Sequence, residues 1–380
     1  MQVKNKRGNQ PPNTSSPASA PEAIKVVYLH RNPDLHPRTA KIRQSLLREG
    51  FRFEVFRPRF DFKIRSRIIG SAINYFLFLV QSLFIKGDVI WVANCPDTVG
   101  LGPLLSSKKY IYDYRSPWAK EVELEFGRGI FSNIAGIIER QVRKRAEAVV
   151  VVSSQMLKDV EILRKPIFLI PNYPTKEFSP TKDRKTMRET IGSDLDKQVV
   201  LFVGKLSRVE GADMLSKIAE GLEEYPNIEL WIVGDGPYKG DIEELRARHP
   251  KIIRYFGWLQ YSEVPNYISA ADVCIVPRHK NNFSEYYNDE GVQKIAEYLV
   301  LDKPVVACNI AKSDNYLLVN EDLFVQGIID TINNKKTSLP SIREKRFWEN
   351  ESEAALIKAI KNVLSSQSSS SLQTSGLEQH

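Results

Sequence analysis

Cysteine is scarce in this chain: Cys95, Cys274 and Cys308 are the only three in 380 residues, and no Cys-x-x-Cys spacing occurs. That excludes a disulfide framework and a cysteine-built zinc site, and it points to a reducing compartment. The five histidines lie far apart and never form His-Glu-x-x-His, which removes a zincin-type centre. No Gly-x-Ser-x-Gly elbow is present, which removes a serine hydrolase of that kind. The stretch from Gln2 to Ala23 is polar and lacks the apolar core of a signal peptide, so a cytoplasmic location is expected. A net charge of +8 would suit nucleic acid, but the basic residues are spread and no RNA- or DNA-binding motif accompanies them. No nucleic-acid partner is expected. Anionic small molecules or an anionic membrane surface fit the charge better.

What the chain does have is length for two domains and a repeating pattern of short apolar runs between helix-like segments. The first half offers strands at Ile24–Leu29, Phe51–Phe56, Asp88–Ala93, Tyr110–Asp113 and Ala148–Val152. The second half offers Val199–Gly204, Ile228–Gly234, Ile252–Phe256, Val273–Val276 and Pro304–Ala307. Apolar runs of this length bounded by turns suit strands covered on both faces, hence two parallel, doubly wound sheets. Residues 1–22 and 365–380, rich in small polar residues, are expected to be disordered. The domains are expected at 23–185 and 186–345, with Ser179–Lys197 as a polar linker. Helical periodicity over 346–364 predicts a last helix that crosses back to the first domain.

The segment Asp289–Cys308 carries the most chemistry. It opens with Asp289 and Glu290, continues into a helix with Val292, Ile295, Ala296 and Leu299 as its apolar stripe, and ends in the run Val305–Cys308. Gln293, Lys294 and Glu297 fall on the polar flank of that helix. A polar helix feeding a strand end is how open α/β sheets place ligand contacts.

Five segments in order make the second half resemble the retaining GT-B glycosyltransferases of family 4, the large group 1 family. They are Val200–Ser207 with Glu210-Gly211, Glu229–Pro237, Tyr255–Leu259, Ala270–Val273, and Glu297-Tyr298-Leu299 with Lys303–Ala307. The first half matches more loosely through His36-Pro37-Arg38, Tyr112–Arg115, Val151–Ser153 and Ile170–Tyr173. The resemblance implies a GT-B fold, two Rossmann-like domains with a cleft between them. It also implies transfer of a sugar, with retention, from a nucleotide-sugar to a glycan, lipid-linked or small-molecule acceptor, without cofactor or metal. Rival readings are a non-catalytic sugar- or partner-binding homologue and a GT-B-fold nucleotide-sugar epimerase.

By the same resemblance Lys205, where the family usually has arginine, would neutralise the donor diphosphate. Glu297 would hold the ribose diol, as an ionised carboxylate accepting two hydrogen bonds can. Asp289 or Glu290 would orient the sugar. Gly204, Gly234, Gly236, Gly291 and Lys294 would complete the donor site, with Trp258 and Leu259 flanking the base. The acceptor side would draw on His30, Arg31, Asn94, Asp97, Arg115 and Trp118, with Asp113 near the reacting centre. Two residues depart from the family. Glu210 replaces the usual second phosphate-binding lysine, and a carboxylate there repels a diphosphate unless Lys294 or Arg208 substitutes. Asp302 stands where glycine is common.

One further run, Ile68–Ile85, approaches the length of a membrane span and follows Arg57, Arg59, Lys63, Arg65 and Arg67. Its Asn74, Gln81 and serines argue instead for a helix packed on the sheet, with contact to an anionic membrane surface as the alternative. Asp194-Leu195-Asp196 spells an Asp-x-Asp but precedes a strand instead of ending one, so it is not read as a metal site.

Overall fold

The computed structural model describes residues 23–30, 37–57, 67–94, 96–333 and 345–375. The expected disordered lead, residues 1–22, and Arg31 lie outside them. All ten expected strands form, and two short edge strands join them.

The first sheet holds β1 Lys25–Leu29, β2 Arg52–Val55, β3 Val89–Ala93, β4 Tyr110–Tyr114, β5 Ala148–Val151 and β6 Ile167–Leu169. All pairs are parallel, in the order β2-β1-β3-β4-β5-β6. Its helices are α1 Pro37–Arg48, α2 Arg67–Ser82, α3 Leu101–Leu105, α4 Trp118–Phe126, α5 Ile130–Arg145 and α6 Leu157–Val160. Successive strand residues face opposite ways. Val26 and Tyr28 therefore join a core with Ile42 and Leu46 of α1, while Val27 and Leu29 join one with Phe78 of α2 and Val142 of α5.

The second sheet follows with α7 Arg184–Thr190, β7 Gln198–Val203, α8 Met214–Leu222, β8 Ile228–Val233, α9 Lys239–Arg248 and β9 Ile253–Gly257. It continues through α10 Val264–Ala270, β10 Val273–Pro277, α11 Gln293–Val300, β11 Val305–Cys308, β12 Leu317–Val319 and α12 Phe324–Asn333. The order is β12-β11-β10-β7-β8-β9, again wholly parallel. This is a doubly wound sheet in which both faces are buried.

The stretch expected as a linker is partly structure. Asp183 caps α7 by accepting from Thr186 N, and Arg188 is fully buried, donating to Ala270 O and Asp272. Phe178 and Met187 belong to the second core, so that domain begins before the boundary expected after residue 185. Polar composition hid the segment because its anchors are one aromatic, one methionine and a buried ion pair.

At the other end, Phe347 still packs against the second domain while Trp348 is buried in the first. A π-turn, Trp348–Ser352, leads into α13 Glu353–Ser375, whose Leu356, Ile357, Ile360 and Val363 cover the first sheet beside α1. Trp348 N donates to Pro174 O, Trp348 Nε1 to Ser45 Oγ, and Ser352 Oγ to Pro171 O. Lys41 sits over the Trp348 ring and donates to Asn172 O and Tyr173 O; burial, aided by Arg38, pulls its ammonium down to about 7. The serine tail expected to be disordered is helical through Ser375. Once a helix is nucleated by packing, each added residue gains a backbone bond at small cost.

Candidate active site

The carboxyl ends of both sheets face one cleft, the place where open α/β sheets bind ligands. A cavity of about 330 Å³ lies there, lined from the first domain by Arg115, Ser116, Pro117, Glu121 and Val152. The second domain adds Gly204, Lys205, Val209, Glu210, Arg278, Tyr286, Tyr287 and Gly291–Lys294. Four cations thus meet two carboxylates.

The loop after β7 shapes the cation cluster. Gly204 has φ +154°, and a Cβ there would stand 2.6 Å from the Lys294 ammonium. Absence of a side chain is what admits Lys294 from α11. Gly211, at φ +74°, approaches β10 so closely that a Cβ would fall 1.4 Å from Pro277 O. That approach sets Glu210 beside Arg278, the residue after β10.

Glu210 holds both cations. Its Oε1 accepts from Arg278 Nη2 at 2.7 Å, and its Oε2 lies 2.6 Å from Lys294 Nζ. Burial opposes its ionisation, but Arg278 and Lys294 outweigh that and hold the carboxyl down to about 2. Burial in turn lowers the Lys294 ammonium, against the pull of Glu210. Arg278 also stacks 3.9 Å from the Tyr287 ring centre, and its buried Nε and Nη1 have no acceptor among the described residues. Lys294 Nζ meets Glu210 off-angle, as an ion pair lacking an aligned hydrogen bond. Both residues line the cavity, so these are buried donors at its wall. Lys205 is exposed at its wall and pairs with no acid of the described residues.

Glu297 is buried on α11 and does not line the cavity. Its Oε1 accepts from Tyr261 Oη at 2.8 Å and Gln293 Nε2 at 2.5 Å, while Oε2 receives no hydrogen bond from the described residues. Burial raises its carboxyl, offset in part by those two donors. Lys294, on the same helix, forms its ion pair with Glu210.

Asp289 and Glu290 point elsewhere than expected. Asp289 is buried and accepts from Asn315 Nδ2 at 2.8 Å. Glu290 accepts from Ser154 N and Oγ, both at 2.6 Å, and its carbonyl accepts from Asn172 N at 2.7 Å. Asn172 Nδ2 donates to Gly291 O, and Ser153 Oγ to Asn288 Oδ1. Residues 288–291 are therefore a clasp between the domains, and neither carboxylate lines the cavity.

Asp113 is also spent on structure. It is fully buried and accepts from Arg38 Nε and Nη2, Trp91 Nε1 and Arg115 Nε. Burial opposes its charge, but Arg115 and Arg38 bring it down to about 2. It organises the strand ends and is closed off from the cleft by burial. Among the other acceptor-side candidates, Arg115 lines the cavity. Asn94 is buried, donating to Ser116 O and accepting from Arg115 N. His30 is buried beside Tyr28, and Asp97 is buried as acceptor to Tyr112 Oη.

Gly234 and Gly236 end β8 against the backbone of Gly204 and Leu206, shaping the loop without lining the cavity. Trp258 is 69% exposed after β9, and Leu259 packs against the second core. Arg278 was missed from sequence. The available signal was the basic run Arg278-His279-Lys280 directly after a buried parallel strand. Asp194 and Asp196 form a local turn through Asp196 N to Asp194 Oδ1. Among the described residues no cluster of three or more His, Cys, Asp or Glu could hold a metal ion.

Two wholly parallel six-stranded sheets facing one cleft, joined by a helix that returns to the first domain, define the GT-B architecture. Solved structures bear this out. Sucrose-phosphate synthase from Thermosynechococcus elongatus superposes with TM-score 0.62 at 16% identity, over 93% of this chain and all of that one. Anabaena HepE, crystallised with UDP-glucose, gives 0.63 at 14% identity, over 90% and 100%. Residues 197–334 match the family described as Glycosyl transferases group 1. Over longer spans the chain is similar to the alpha-monoglucosyldiacylglycerol synthase of Acholeplasma laidlawii, 23% identical over 61% of this chain and 58% of that protein. It is also similar to the Bacillus subtilis glycosyltransferase YtcC, 22% identical over 70% and 65%. It spans less than two thirds of either relative's length.

Proposed function

We propose that the chain is a metal-independent, retaining glycosyltransferase that moves a sugar from a nucleotide-diphosphate sugar to an acceptor held by the first domain. The observation that carries this is the cation cluster of Lys205, Arg278 and Lys294, all lining the cavity around Gly204. A departing diphosphate needs fixed positive charge in a water-poor site, and these side chains supply it. Glu297, whose Oε2 has no hydrogen-bond donor among the described residues, is the group for the ribose diol, reached from the cavity edge through Gln293. The cluster lets the leaving phosphate itself assist front-face departure. HepE's complex with UDP-glucose supports a nucleotide-sugar donor, and the glucosyldiacylglycerol synthase supports a lipid-linked acceptor at a membrane surface.

Glu210 favours a second reading, a sugar- or partner-binding homologue without turnover, since it already occupies two of the three cations. Calorimetry with nucleoside diphosphates and their sugars, followed by hydrolysis and transfer assays, separates the two. Binding with turnover supports the transferase. Binding without turnover on any acceptor supports the second reading, and a folded protein that binds none overturns the transferase.

A further inference from the structure

The first domain carries an apolar, basic-edged face that the reaction chemistry does not use. Of nineteen exposed large hydrophobic side chains among the described residues, eleven lie on α2 to α5 or just after α2, on the side of the first sheet away from α1 and α13. Phe84, Phe126, Ile130 and Phe131 are each at least 68% exposed. On α5 the exposed stripe has helical spacing: Ile130, Ile134 and Ile137 first, then Gln141, Lys144 and Arg145, with Arg140 alongside. No acid lies on it, because Glu139 faces inward to Ala119 N and Arg143. The nearby exposed acid, Glu125, belongs to α4.

An apolar strip ending in cations is the pattern of a helix lying in the headgroup plane, apolar side down and basic ends at the phosphates. A second copy of this chain is the poorer occupant, since a parallel pairing of the strip would bring its cations together and an antiparallel one would set each basic end against apolar side chains, with no anion in either. Among the described residues no helix is long and apolar enough to cross a membrane, so contact would be in the plane. The same face reaches the cleft. Ser116, Pro117 and Glu121 at the start of α4 line the cavity, and Lys120 donates to Asn282 O and Tyr286 Oη across it. The other end of α4 presents Leu124 and Phe126 to solvent. Nine residues span roughly 13 Å at 1.5 Å each.

We infer that the α4–α5 face docks on an anionic lipid bilayer and holds the mouth of the cleft against the headgroups, so that the acceptor is an amphiphile taken from the membrane. The acceptor half of this rests on the transferase reading; the docking half does not. The test is co-sedimentation with vesicles of phosphatidylcholine alone and of phosphatidylcholine with phosphatidylglycerol, without donor. The wild type should bind the anionic vesicles and lose binding as salt rises. Phe131→Asp with Ile134→Asp should lower binding roughly tenfold or more. Lys144→Glu should lower it about fivefold for the cation lost, on anionic vesicles only. Leu323→Asp, an exposed site on the second domain, should change nothing. Failure of the wild type to bind at low salt, or binding indifferent to the α5 substitutions, overturns the inference. So does a solution dimer that Phe131→Asp with Ile134→Asp dissociates. Vesicle binding by a protein that binds no nucleoside diphosphate would overturn the transferase and leave the docking face standing.

Discussion

Replacing Glu210 with glutamine should tighten the binding of a nucleoside diphosphate and weaken the unliganded fold. The carboxyl moves from an ordinary 4.5 to about 2, which at 1.36 kcal/mol per unit is about 3 kcal/mol of preference for its charged form. Glutamine keeps the shape and removes the charge. Arg278 and Lys294 then face each other across an uncompensated site, at a cost of about 1–3 kcal/mol, below the range for a sealed pair because the cavity admits water. A diphosphate entering the wild type must compete with this resident anion; in Glu210→Gln it need not. The affinity gain has the same origin and an upper bound near 3 kcal/mol, or about a hundredfold. The pH dependence has a definite sign. Because the folded value is depressed, the Glu210 contribution is complete above about 4.5 and is lost as pH falls toward 2. Asp113 has the same sign and is present in both proteins, so the difference between them isolates Glu210. Calorimetry with UDP and GDP at neutral pH, and urea melts from pH 7 to 3, read both effects. Equal diphosphate affinity in the two proteins, with a stability gap that does not shrink on acidification, would refute the reasoning.

Other perturbations test the frame around the cavity. Glu290→Gln should weaken the hydrogen bonds to Ser154 and cost about 1–3 kcal/mol, with the domains separating more readily; urea melts and small-angle scattering would show it. Asp302 sits at φ +56° after α11, the left-handed position where glycine carries no strain, so Asp302→Gly should stabilise by up to about 1 kcal/mol despite losing its pair with Lys345. A rise in melting temperature checks it. Trp348→Ala should cost about 3–5 kcal/mol, since the ring is fully buried between α1 and α13, and proteolysis should then release the last helix first.

The fold was legible because buried parallel strands write themselves as short apolar runs, and ten of the twelve did so. The two missed, β6 and β12, are three-residue edge strands, too short for periodicity to register. Helix α7 escaped because its hold on the second core is Arg188 buried against Asp272, and a charged anchor looks like a solvated one in sequence. The site was half legible. Gly204, Lys205, Gly291 and Lys294, singled out by resemblance, line the cavity. Asp113, Asp289 and Glu290 carry the expected chemistry, but partners distant in sequence consume it: Arg38, Asn315 and Ser154. Spacing shows which loop a carboxylate occupies, not which neighbour claims it. Glu210 was read as a repulsive oddity, and the unforeseen Arg278 makes it the centre of a charge network.

The returning helix also sets the order in which the chain can be finished. Trp348, Leu356, Ile357, Ile360 and Val363 complete the core on one face of the first sheet, yet the ribosome delivers them only after the whole second domain. During synthesis the first sheet therefore waits with that face open while the second domain, whose strands and helices are contiguous, closes. A transcript truncated before Arg346 would leave a formed second domain tethered to a first domain with an uncovered apolar sheet, a substrate for chaperones and proteases. For this protein, residues 348–363 are the step that makes the first domain a stable body.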